Sequence, residues 1–183
     1  MNFMKRLNFA ITFLERTWML VAALMLLSIM LISTLDVLMR YVFNQPLGWA
    51  YDLISLYLMC GLFFLALSDT LRNNEHVCVD LLHTLMSPRQ RHAALLVGYF
   101  MVAIVFALVT LAAFDRMLDS YLNNDVVAGS IGWPTWVSSL FVTLGFALLW
   151  LRIVFRFIGH SLSAITGRQV IELPPISGTQ EVI

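Results

Sequence analysis

Four long stretches of this chain carry no Asp, Glu, Lys or Arg: Thr17–Leu35 with 19 residues, Leu53–Ser68 with 16, Ala93–Phe114 with 22 and Val126–Leu151 with 26. An α-helix rises about 1.5 Å per residue, so a hydrocarbon core of about 30 Å takes roughly 20 residues to cross. Each stretch is near that length or reaches it with a few flanking residues. Each is also apolar on every side, which excludes the period-two alternation of membrane-barrel strands. With 60% apolar and only 12% charged residues, against about 25% charged in a soluble domain, the chain cannot coat a water-facing globule. Soluble enzyme, disordered chain and nucleic-acid binder are thereby excluded.

The expected fold is an all-α membrane protein of four transmembrane helices in a single domain over 1–168, with spans at about 17–40, 49–71, 90–114 and 134–156. Trp49 and Leu71 extend the short second run, leaving Asp52 and Asp69 just inside the headgroup zone. The fourth run contains Gly129, Gly132 and Pro134, so its helix is placed to begin at Pro134, where proline loses no hydrogen bond.

Orientation follows from the basic residues, which favour the cytoplasmic side. Lys5, Arg6 and Arg16 precede the first span, Arg40 follows it, and Arg72, Arg89 and Arg91 follow the second. Arg116 follows the third, and Arg152, Arg156 and Arg168 follow the fourth. This alternation predicts both termini and the second loop in the cytoplasm. Trp18 and Trp150 then mark the inner boundary, and Trp49, Trp133 and Trp136 the outer one. The first run is longer than a signal-peptide core and lacks a small-residue cleavage site, so it reads as an uncleaved anchor.

Between the second and third spans, Cys78, Leu81, Leu82, Leu85 and Met86 recur at i, i+3, i+4, i+7, i+8, opposite Asp80, His83 and Thr84. That pattern predicts a short amphipathic helix lying in the interface, with an ordinary loop as the other reading. Ser87 and Pro88 then suit the start of the third helix. Residues 169–183 hold two prolines, a glycine and no helical pattern, as expected of a disordered cytoplasmic tail. Cys60 and Cys78 fall in no oxidising compartment, and no disulfide is expected.

Transporters that work alone keep ionisable residues in mid-membrane. Every span interior here is uncharged, with Ser28, Tyr57, Thr110 and Thr143 among its few polar groups, and no buried carboxylate is expected. A membrane haem would need histidines on facing helices, yet His76, His83, His92 and His160 all fall outside the predicted spans. No H-E-x-x-H, paired C-x-x-C or glycine-rich phosphate loop occurs. The sequence therefore assigns no catalytic, cofactor-binding or metal residue and no enzyme activity. Ala94, Gly98, Ala103 and Ala107 place small residues along the third helix, where a neighbouring helix inside or outside the chain could approach closely.

The stretch from Leu35 to Arg91 carries a more specific signal. LDVLMRYVFNQPLGWAYDL is followed by a second helix and then by DTLRNNEHVCVDLLHTLMSPRQR. This resembles the small membrane subunit, DctQ type, of the tripartite ATP-independent periplasmic (TRAP) transporters. Its motifs are a D-V-x-x-R-Y-x-F-N-x-P-like run, a tryptophan shortly before an acidic residue, H-V-x-V-D and a P-R-x-R-like turn. Asp36, Arg40, Tyr41, Phe43, Asn44, Pro46, Trp49, Asp52, His76, Val77, Val79, Asp80, Pro88, Arg89 and Arg91 occupy those positions. The chain departs from the pattern at Thr143, which precedes Leu144 and Gly145 where many members carry proline.

The resemblance implies an accessory subunit of the bacterial inner membrane, a fixed buttress for a large multi-helix subunit that carries the substrate and sodium sites. It implies uptake of an organic acid delivered by a periplasmic substrate-binding protein, with no nucleic acid involved. Under it, Asp36, Arg40, Asn44, Gln45, Pro46, Trp49 and Asp52 are candidates for docking partners at the outer face, and Asp119 and Asp125 add charge there. Asp36 and Arg40 also read as an i,i+4 pair that merely neutralises a helix end. Arg72, Arg89 and Arg91 are candidates for anchoring the cytoplasmic rim to lipid headgroups. The competing reading is a membrane anchor or assembly subunit of a complex outside transport.

Overall fold

The computed structural model describes residues 2–73, 88–128 and 131–166. It contains four helices long and apolar enough to cross a membrane: α1 (Asn2–Val42), α2 (Ala50–Arg72), α3 (Pro88–Leu122) and α4 (Thr135–Thr166). Helix α2 runs over residues 50–72, where a span at about 49–71 is expected from the sequence. The other three helices run on past their charge-free stretches, because polar residues continue a helix once it leaves hydrocarbon or finds partners. Helix α4 begins at Thr135, since Trp133 and Pro134 (β2) pair antiparallel with Val126 and Val127 (β1) in a short hairpin. The predicted interfacial helix over 78–86 and the tail over 169–183 lie outside the described residues.

Packing runs mainly from α1 to α2, from α2 to α4 and from α4 to α3. Helix α4 is the central element, and its buried face carries Leu148, Leu149, Ile153 and Phe155. Ile11 of α1 joins Leu148 and Phe155 in a cluster flanked by Leu7 and Trp18. Helices α2 and α4 come close together at Gly145, where an added Cβ would lie 2.7 Å from the Phe64 carbonyl carbon. Gly145 thus lets backbone meet backbone, the usual device for holding helices together in lipid. Gly98 of α3 does not act this way, having nothing within 4 Å of an added Cβ. It borders an apolar cavity of about 320 Å³ between α2, α3 and α4. Edge-on aromatic contacts Phe106–Phe146 and Tyr121–Trp136, with Trp150 Nε1 donating to the Ala103 carbonyl at 3.0 Å, fasten α3 to α4.

The outer flanks stay bare. Leu20, Leu24, Leu27 and Leu31 of α1 and Val105, Leu108 and Leu111 of α3 are exposed, as lipid or another subunit would require. Two tight turns close one end of the bundle. Asn44 (φ 55°) ends α1 in the left-handed region, which asparagine tolerates better than most residues. Asn124 (φ 52°) ends α3, with the Asp125 N–H returning to the Ser120 carbonyl at 3.0 Å and the Asn124 N–H to Tyr121 at 3.3 Å, a Schellman cap. Both turns lie at the loop end; the start of α1 and the last turns of α4 lie at the terminal end.

Candidate functional site

The predicted docking residues cluster at the loop end. Asp36 accepts from Arg40 at 2.8 Å through Oδ2 and from the Leu47 N–H at 2.7 Å through Oδ1. Its carboxylate therefore ties the last turns of α1 to the segment leading into α2. Arg40 leaves 60% of its side chain exposed, against 17% for Asp36. Asn44, Gln45 and Pro46 are exposed, the Gln45 N–H returns to the Met39 carbonyl at 3.2 Å, and Trp49 precedes the first turn of α2, which contains Asp52. Within α2, Ile54–Leu58 forms a single π-helical segment. There the Tyr57 hydroxyl donates to the Pro134 carbonyl at 2.8 Å and its ring meets Trp133 edge-on, joining α2 to the hairpin before α4.

The terminal end holds a polar cluster that the charge pattern did not reveal. Glu15 is fully buried and Arg152 is 3% exposed. Arg152 Nε donates to Glu15 Oε1 at 2.7 Å and its NH2 group to Oε2, a two-pronged pairing. The same guanidinium reaches Asn8 Oδ1 at 2.8 Å and Thr12 Oγ1 at 3.1 Å. Asn8, Thr12 and Glu15 stand at i, i+4, i+7, a polar stripe along one face of α1. From α2, Ser68 donates to Glu15 Oε1 at 2.6 Å, and Arg72 pairs with Asp69 at 2.7 Å and approaches Glu15 at 3.6 Å. Arg156 of α4 donates to the Tyr99 hydroxyl at 2.9 Å and the Arg72 carbonyl at 3.0 Å, which brings in α3.

Two expectations are corrected here. Glu15 is a carboxylate buried inside a candidate span, where none was expected, and Arg152, counted with the basic residues that follow the fourth span, is locked between helices. His160 also lies within α4, 1% exposed and stacked on the Tyr99 ring at 5.4 Å. Of the predicted lipid-anchoring residues, Arg72 has a side chain only 22% exposed and engaged with Asp69 and Glu15. Arg89 and Arg91 lie on the first turn of α3, and their side chains lie outside the described residues.

Electrically, Glu15 and Asp69 balance Arg72 and Arg152. Burying ions is costly, and burial in this form is tolerated because each charge meets an opposite one and several hydrogen-bonding groups. The cluster is suited to fixing helices against one another. It offers no vacant charge in mid-membrane for a cargo.

The family model for the DctQ component of tripartite ATP-independent periplasmic transporters matches residues 29–162. The chain belongs to this family. Comparison with individual curated proteins gives no match. As a DctQ component, the chain is a multi-pass membrane part of a transporter. The match takes in every predicted docking residue together with Ser68, Asp69, Arg72, Tyr99, Arg152 and Arg156. Asn8, Thr12 and Glu15, which complete the buried ion clamp from α1, precede it.

Proposed function

We propose that this chain is the fixed accessory subunit of a TRAP-type secondary transporter in the bacterial inner membrane, with both termini cytoplasmic. It supports a large membrane subunit in sodium-driven uptake of an organic acid that a periplasmic binding protein delivers. The observation that carries this reading is the clamp. The buried charges of the terminal end neutralise one another and bind helix to helix: Glu15 and Arg152 lie inside candidate spans but are taken up by each other. A moving carrier would need the opposite, with charge available to cargo and helices free to shift.

The bare flanks of α1 and α3 fit the same reading, since they leave apolar surface for lipid and for a large neighbour. At the loop end, Arg40, Asn44, Gln45 and Pro46 supply an exposed polar rim for salt-sensitive docking of the binding protein. Asp36 acts there as a brace for the turn, and Trp49 and Asp52 sit behind it at the start of α2. Arg89 and Arg91 anchor the opposite rim to lipid headgroups. Affinity purification of the tagged chain from detergent-solubilised membranes tests the assignment. It should bring down a large hydrophobic permease encoded beside it, and recovery of a redox complex instead would reject the reading.

A further inference from the structure

A second cavity, of about 400 Å³, lies between α2, α3 and α4 near the loop end. Leu56 and Val142 form its apolar side, and Arg116, Thr135, Ser138 and Ser139 its polar side. Arg116 stands six residues before the end of α3, about 9 Å along the axis from that end at 1.5 Å per residue. That depth is close to the boundary between headgroups and acyl chains. Arg116 is exposed and forms no hydrogen bond or ion pair among the described residues. A guanidinium at that depth turns toward the headgroups, where phosphate oxygens can accept from it.

Three further features favour an anion in this place. The Ser138 hydroxyl oxygen is buried with no hydrogen-bond partner, and a turn of its side chain into the adjoining cavity would give it one in a ligand oxygen. Thr135 and Ser139 hold two more hydroxyls beside it, directed to the Asp125 and Thr135 carbonyls at 3.2 and 3.4 Å. The first turn of α4 contains no acidic residue to offset the positive end of a 32-residue helix. Asp119, one turn along α3 from Arg116, is exposed and has no ion pair among the described residues. It places a negative charge beside the positive pocket. A cation, hydroxyls and an apolar wall at headgroup depth, flanked by a carboxylate, match a headgroup carrying both phosphate and amine.

We propose that this cavity binds a zwitterionic, amine-bearing phospholipid of the leaflet at the loop end. Its phosphate meets Arg116 and Ser138, its ammonium faces Asp119, and its acyl chain starts along Leu56 and Val142. The lipid would fill the gap between α2, α3 and α4 and hold that end of the bundle as the ion cluster holds the other.

The test is native mass spectrometry of the full chain in detergent, supplemented with dioleoylphosphatidylethanolamine or dioleoylphosphatidylglycerol. The wild-type chain should retain the ethanolamine lipid in preference to the glycerol lipid. Arg116→Gln should weaken that retention about tenfold, the usual effect of losing a charged hydrogen bond. Arg116→Lys should keep most of it, and Arg40→Gln, at the same end but away from the cavity, should leave it unchanged. Equal retention by Arg116→Gln and wild type, or no retained lipid in the wild type, overturns the proposal. Preference for the glycerol lipid overturns the zwitterionic assignment. Contact of Arg116 with an acidic side chain of a copurified subunit, with no lipid present, overturns it in favour of a protein partner.

Discussion

Glu15→Ala removes the acceptor at the centre of the buried cluster. Arg152 would lose both of its carboxylate contacts and keep Asn8 at 2.8 Å, Thr12 at 3.1 Å and the Phe155 ring at 5.8 Å, none of them charged. Ser68 would lose its 2.6 Å acceptor and keep only the Leu148 carbonyl at 3.5 Å. Arg72 would lose its second carboxylate, leaving Asp69 to offset two guanidinium groups. Breaking a buried pair from one side costs about 3–5 kcal/mol. At about 1.4 kcal/mol per factor of ten, the unfolded fraction should rise by roughly two to three and a half orders of magnitude. Titration with dodecyl sulfate in mixed micelles, followed by far-UV circular dichroism, measures this. Replacing both partners with methionine, Glu15→Met with Arg152→Met, removes both charges and should recover most of the loss. A cost below about 1 kcal/mol for Glu15→Ala, typical of a solvent-exposed pair, would refute the clamp.

Three further outcomes follow from the packing and the turns. Gly145→Ala should destabilise the bundle by about 1–3 kcal/mol, because the new methyl group meets the Phe64 backbone, whereas Gly98→Ala should cost nothing in the same titration. Asp36→Ala should release the Leu47 amide, with a loss of about 1–2 kcal/mol of local protection that hydrogen exchange would register. Asn124→Gly should be neutral or slightly stabilising, and Asn124→Val should cost about 1–2 kcal/mol, since only the latter opposes the left-handed cap. Thermal denaturation in detergent separates those two variants.

The four crossings were legible because charge cannot be left in hydrocarbon, so gaps between charges record bilayer thickness directly. Helix ends were less legible. Hydropathy reports where lipid begins, whereas α1 and α4 continue through polar residues that find partners on neighbouring helices. The buried cluster shows the same limit. Asn8, Thr12 and Glu15 form a visible i, i+4, i+7 polar stripe that could have suggested an inward face. Their partner Arg152 lies up to 144 residues away in sequence, and no local pattern announces it. Counting Arg152 among the basic residues that orient the chain also hid its role as a partner. Asp36 illustrates a related case. Its i,i+4 relation to Arg40 could be read from the sequence, but its bond to the Leu47 amide depends on how the turn folds back.

The central claim is that this chain supports transport without carrying cargo. Proteoliposomes with an inward sodium gradient, given radiolabelled C4-dicarboxylates and sugar acids, test it most directly. The purified chain alone should take up none above empty vesicles, and uptake should appear once the large subunit and binding protein are added. Sodium-dependent uptake by the chain alone would contradict the account.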